Sequence, residues 1–328
     1  MSALLTLPQA AEFLKTHDRY LLLSHRRPDG DAVGSCAALC LALRAIGKQA
    51  WVYDNPQFTP KFAPYLEGLT LQPGELSDGH SPFSVVACDV ASRGLFPFGM
   101  EEAEAELAID HHGTNDGFAA RTLVDEGAAA CGELLTALIP ALGAPLDKPI
   151  SEALYLAIST DTGCFRYSNV TAATLRAAAA CVEAGAEIFP INRVFFDTKR
   201  LPRLRLEAWL TEHMELLAGG RVAVSAIPPA LIAELGLTED DIDDISGFGR
   251  SIEGVEIAVM LREVEGGLGK ASVRTGPAYN AAAICRRLGG GGHPAAAGAS
   301  LPGGIPAIRE AVLASIAQEI ELEWQTES

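Results

Sequence analysis

Short apolar runs that end in acid or imidazole residues organise the first half of the chain. Tyr20–Leu23 is continuously apolar, which reads as a buried strand, and it runs straight into SHRRPDGDAVGS at 24–35. SVVACD (84–89) repeats the pattern and ends in Asp89. ELAIDHH (106–112) repeats it again and ends in Asp110, His111 and His112. Between and after these runs, Ala- and Leu-rich segments predict helices at Val33–Ile46, Ala129–Leu142, Ser151–Ser159 and Ala172–Ala184, with Gly47, Gly143 and Gly185 as stops. EALYLAISTDTGCFRY (152–167) then delivers Asp161 ahead of a Thr-Gly turn. Alternating strand and helix signals predict a parallel-sheet α/β domain over residues 1–188.

The patterning changes after that. Residues 189–219 are richer in Arg and Lys (KRLPRLRLEAWLTEHMELL) and read as a helical connector. RVAVSAI at 221 opens a smaller α/β domain over residues 220–328, continued by VEIAVMLREV and KASVRTG, with helices expected at Tyr279–Leu288 and Ile305–Glu321. The acidic run TEDDIDD (238–244) reads as a solvated helix start and not a metal site, because Asp and Glu favour a first helical turn.

Candidate chemistry lies where the strands end. His25, Asp29 and Asp31 follow the first strand, with Pro28 and Gly30 expected to hold the carboxylates on a tight loop. One imidazole and two carboxylates suit a divalent cation. An Asp-Gly turn with an incidental histidine is the alternative. Recurrence argues against it, since ligands of open parallel sheets bind beyond the carboxyl ends of the strands. Asp29, Asp31, Asp89 and Asp161 in one crevice would carry four negative charges and repel. Two divalent cations would balance them, and mixed imidazole and carboxylate donors favour Mn²⁺ over Mg²⁺. Such a pair can share a water and lower its pKa.

The ordered set SHRRPDGDAVGS, ACD, DHH, STDTG and GGGGHPAAAG resembles the DHH phosphoesterases that carry a DHH-associated C-terminal domain, over about residues 20–300. Within that family the chain is most similar to the short-oligonucleotide phosphodiesterases, some of which also remove the 3′-phosphate of 3′-phosphoadenosine 5′-phosphate. The resemblance implies that His25, Asp29 and Asp89 hold one ion, and that Asp31, Asp89, His111 and Asp161 hold the other, with Asp89 bridging. It leaves Asp110 to orient an imidazole. His112 becomes a phosphate contact or proton donor, or else a histidine bonded to the backbone. In the second domain, Arg274 resembles the family's substrate-binding strand arginine. Gly290, Gly291 and Gly292 let main-chain N–H groups approach a phosphate, and His293 adds a donor beside them. A glycine-rich hairpin is the plainer reading of that run. Arg166, with Phe165 and Tyr167, borders a base or belongs to the core.

Composition narrows the function class. A net charge of −17 argues against a grip on long nucleic acid, duplex included, and fits a short RNA or dinucleotide substrate. Seven cysteines without a CxxC pair, and no apolar stretch of membrane-span length, point to a cytoplasmic enzyme, with a homodimer an open partner state. Two other readings stand beside the phosphodiesterase. One is a manganese pyrophosphatase or polyphosphatase; the other is a nonenzymatic nucleotide-binding regulator.

Overall fold

The apolar runs become the middle of a parallel sheet. The structure, a computed structural model, describes residues 2–75, 83–242 and 245–320 and divides into two units, residues 1–198 and 199–328. The first unit contains strands β1 (Ala3–Leu4), β2 (Tyr20–Leu23), β3 (Ala50–Tyr53), β4 (Thr70–Leu71), β5 (Ser84–Cys88), β6 (Leu107–Asp110) and β7 (Arg121–Val124). They form one sheet in the order β1-β7-β6-β5-β2-β3-β4, and every adjacent pair is parallel. After β2 the chain builds outward to one side through β3 and β4. From β5 it builds to the other side through β6 and β7. The order therefore reverses between β2 and β5, which is where open sheets form their ligand crevice.

Helices α1 (Leu7–Thr16), α2 (Gly30–Ala45), α3 (Ala63–Leu66), α4 (Cys131–Leu142), α5 (Lys148–Asp161), α6 (Ala172–Glu183) and α7 (Ile188–Asn192) complete this unit. α2 is apolar on nearly every side and almost wholly buried, as such a helix must be. It lies against α5 at backbone distance: a Cβ on Gly34 would sit 2.3 Å from the Ala153 carbonyl oxygen and 2.9 Å from the Ala157 nitrogen. Gly30 faces Thr160 equally closely, and Gly132 on α4 faces Ala157. These three glycines let three helices converge beneath the crevice. α4 ends on Gly143 in the left-handed conformation (φ 84°), a cap that glycine adopts without Cβ strain.

Several helix boundaries differ from the pattern. α2 begins at Gly30, not at Val33, because Asp29 caps it by accepting from the Ala32 amide (3.1 Å). Asp31 is therefore helical and not on a loop. α5 starts earlier, capped by Asp147, and runs through Asp161, so this carboxylate ends a helix.

In the second unit, α8 (Leu201–His213) leads into β8 (Glu215–Leu217), β9 (Val222–Ile227), α9 (Pro229–Leu235), α10 (Glu239–Ile242), β10 (Ile257–Val264), β11 (Leu268–Thr275), α11 (Ala281–Arg286), β12 (Gly291–His293), β13 (Ala296–Pro302) and α12 (Gly304–Ile320). The sheet order is β12-β13-β11-β10-β9-β8, with only β9 and β10 parallel. Ile284, Ile308, Val312 and Ile316 pack with one face of this sheet. The stretch read as a connector contributes α7 and a π-turn at Arg193–Asp197 to the first unit. It contributes α8 and β8 to the second, where Leu206 and Leu210 pack against Ile227 and Met260. The acidic run does start a helix, but Asp241 is not solvated: it is 3% exposed, pairs with Arg200 and accepts from the Thr238 amide. Asp243, Asp244 and Glu321 lie outside the described residues. Among the described residues no helix is long and apolar enough to cross a membrane. All seven cysteines are free thiols.

Candidate metal centre

The three central strands and two helices deliver their polar residues to one place. His25 follows β2, Asp89 follows β5, Asp110 ends β6 with His111 and His112 behind it, and Asp161 ends α5. His25 Nε2 lies 3.7 Å from Asp29 Oδ1 and 3.7 Å from Asp89 Oδ2. His111 Nε2 lies 3.2 Å from Asp161 Oδ2, 3.4 Å from Asp89 Oδ1 and 3.7 Å from Asp31 Oδ2. Donor atoms of His25, Asp29 and Asp89 fall within 4.8 Å of one another, as do those of Asp31, His111 and Asp161, and those of Asp89, His111 and His112. Asp89 belongs to two of these groups, and His111 joins it to the third.

Asp89 is held for that position. Its backbone is left-handed (φ 59°), a conformation Asp tolerates better than most residues, and its amide donates to the Ile109 carbonyl (2.9 Å). The side chain is 3% exposed, and its buried Oδ1 has no hydrogen-bond partner. A carboxylate oxygen left in that state is costly unless a cation meets it. Burial raises the pKa of Asp89 and pushes that of Asp31 well up. Burial opposes charge on His111, but the carboxylates of Asp161 and Asp89 beside it and the field of Asp31 prevail and push its pKa up to about 12. A cluster that draws protons this strongly is a cluster that fits metal cations.

Asp31 does a second job. Its Oδ1 accepts from Ser35 Oγ (3.0 Å) and the Gly132 amide (2.9 Å), and its Oδ2 accepts from the Cys131 amide (2.6 Å). Those two amides open α4, so the carboxylate occupies a helix N-terminus, where backbone donors and the helix dipole favour negative charge. The side chain that faces His111 thus also docks α4.

Asp110 is fully buried and anchors His112. Its Oδ1 lies 2.7 Å from His112 Nδ1, while its Oδ2 accepts from Asn115 Nδ2 (2.7 Å). The Asp110 bond raises the pKa of His112. Asn115, Ser35 and Asn55, whose Nδ2 donates to the His25 carbonyl (3.0 Å), are supports that sequence reasoning missed. Asn115 was legible only as a turn residue, since its Oδ1 accepts from Gly117 N. Arg166 follows three consecutive left-handed residues, Gly163, Cys164 and Phe165, and its Nε donates back to the Gly163 carbonyl (2.6 Å). Phe165 packs with the core beside Tyr155, and Tyr167 is 59% exposed.

In the second unit the register places His293, Ala296 and Arg274 opposite one another on β12, β13 and β11. Both side chains therefore leave one face of the sheet, two strand spacings or about 9–10 Å apart. Arg274 Nη1 also donates to the Val273 carbonyl (3.2 Å). The glycine run is largely a hairpin requirement. A Cβ on Gly290 would meet the Gly298 oxygen at 2.1 Å, and one on Gly292 (φ 141°) would meet the Ala296 oxygen at 2.6 Å. Only Gly291, of the three named, faces open space.

Comparison with known proteins agrees with this layout. A family model described as "DHH family, N-terminal domain" matches residues 19–158, and one described as "DHHA1 domain" matches residues 219–321. The bifunctional oligoribonuclease and PAP phosphatase NrnA of Thermus thermophilus is 34% identical over 314 residues, covering 94% of this chain and 93% of that relative. The chain belongs to the DHH phosphoesterase family. DHH phosphoesterases are metal-dependent hydrolases, and the acid and imidazole groups above could hold such metals. The protein of the same name from Bacillus subtilis is 26% identical, covering 88% of this DHH chain and 91% of that relative. In fold, the DHH chain resembles the crystal structure of an exopolyphosphatase-related protein from Bacteroides fragilis (TM-score 0.85, 21% identity, 95% of both chains).

Proposed function

We propose that this protein is a two-metal phosphodiesterase that hydrolyses short oligoribonucleotides or linear dinucleotides to mononucleotides, and that it also removes the 3′-phosphate of 3′-phosphoadenosine 5′-phosphate. The observation that carries the two-metal reading is Asp89, whose buried carboxylate faces His25 through Oδ2 and His111 through Oδ1 and so belongs to two of the three donor groups. The substrate class is supported by the relatives named NrnA, which align across both domains. His25, Asp29 and Asp89 would hold one cation and Asp31, Asp89, His111 and Asp161 the other, with Mn²⁺ favoured by the mixed donors. Bound divalent cations would neutralise phosphate charge and lower the pKa of the attacking water. His112, fixed through Nδ1 by Asp110, presents its other ring nitrogen as proton donor to the leaving oxygen. Arg274, His293 and the Gly291 main chain are the proposed phosphate contacts of the second domain, and Arg166 a residue bordering the base.

Phosphate and mononucleotide release should be measured on RNA of two to five nucleotides, a twenty-nucleotide RNA, 3′-phosphoadenosine 5′-phosphate and pyrophosphate. Short RNA and 3′-phosphoadenosine 5′-phosphate should be consumed, the long RNA poorly. A chelator should abolish both reactions and Mn²⁺ should restore them best. Hydrolysis of pyrophosphate alone would overturn the reading in favour of a pyrophosphatase. Arg274→Ala should raise KM for a dinucleotide by about 10- to 150-fold, the worth of one charge-assisted contact, while elemental analysis finds metal content unchanged. An unchanged KM would remove Arg274 from the substrate site.

A further inference from the structure

A second feature at the same sheet edge is not used by the metal chemistry. Arg26, the residue after His25, places its guanidinium carbon 4.5 Å from the centroid of the Phe98 ring. The pair is built, not incidental. The Arg26 amide donates to the Leu95 carbonyl (2.6 Å), its Nε donates to the Phe96 carbonyl (3.2 Å), and Tyr53 Oη donates to the Phe98 carbonyl (2.9 Å). These bonds tie the loop behind Asp89 to the loop behind β2, so both partners stand at the carboxyl edge that carries the metal ligands.

Three other cation–aromatic pairs occur among the described residues, on Phe13, Phe62 and Phe83. Phe13 and Phe62 are buried and Phe83 packs with the core, whereas Phe98 is 47% exposed. An aromatic ring with one face backed by an arginine and much of its surface open, on a loop that follows the same strand end as Asp89, has the make-up of a stacking platform. Every base has a π-face, so such a platform binds without reading sequence. The arginine behind it adds cation–π attraction and holds the ring in one orientation.

Building on the phosphodiesterase reading, we propose that Phe98, backed by Arg26, is a nucleobase-stacking subsite that binds one base of the substrate beside the metal centre. It is a binding and positioning group, not a catalytic one, and it favours nucleotide esters over base-free phosphates.

The test compares Phe98→Ala and Phe98→Tyr with the wild type on a diadenosine dinucleotide and on its two abasic analogues, each lacking one base. Phe98→Ala should raise KM for the full dinucleotide by about 5- to 100-fold, with kcat nearly kept, and Phe98→Tyr should restore it. On one of the two abasic analogues the Ala variant should show no added defect, which identifies the stacked base. An unchanged KM, or an equal defect on both analogues, would overturn the subsite. A wild type that cleaves no dinucleotide would instead overturn the phosphodiesterase reading. In that event AMP titration of Phe98→Trp still decides the subsite: fluorescence quenching absent from the wild type supports it, and none refutes it.

Discussion

Asp89→Asn should empty the metal centre and lower turnover by roughly three orders of magnitude or more, the scale set by a metal-activated nucleophile. Asparagine is nearly isosteric and tolerates the left-handed backbone of this position (φ 59°), so the fold should survive. What is lost is charge at the one carboxylate that reaches His25 through Oδ2 and His111 through Oδ1. Removing it leaves each ligand group short of an anion at once, so both ions should go together. Elemental analysis after gel filtration would find close to no Mn²⁺ per chain. A variant that retained two ions and near-normal turnover would exclude Asp89 as the bridge.

Gly34→Ala should destabilise the first unit by about 3 kcal/mol, the upper part of the range for an overpacked core. The added methyl would meet two backbone atoms of α5, the Ala153 oxygen and the Ala157 nitrogen, and neither can swing aside as a side chain would. α2 and α5 must separate, and Asp31 and Asp161 ride on them. Thermal unfolding followed by circular dichroism should show a midpoint about 6–12 °C lower, with metal affinity reduced as well. A midpoint within about 1 °C of wild type would mean that the helices can absorb the methyl, contrary to the contact distances.

The sequence made the positions of chemistry plain and their mountings less so. Continuous apolar runs announced β2, β5 and β6, and the acids and imidazoles just beyond them fall together in the structure. The parallel sheet of the first domain and the mixed α/β character of the second were likewise legible. Asp31 was misplaced because Asp-Gly reads as a turn, yet Asp29 caps the chain into helix at that point. Its true partners, the amides of Cys131 and Gly132, lie about a hundred positions away and carry no side-chain signal. The glycine run admits two causes at once. Phosphate approach and hairpin packing both demand glycine, and only the close backbone contacts at Gly290 and Gly292 distinguish the second cause. Asp241 reads as solvated since charge in a first helical turn usually is; Arg200, which pairs with it, lies forty-one positions before it.

The double duty of Asp31 bears on how descendants of this chain would decay. Were hydrolysis no longer selected, Asp161, which caps no helix here, would be free to drift, whereas Asp31 would still be kept by the helix start it docks. Asp29, which caps α2, would be retained for a similar reason. An inactive cousin should therefore be recognised by erosion at Asp161 and His111 while the GD pair at Gly30 and Asp31 persists, a fossil of architecture and not of activity.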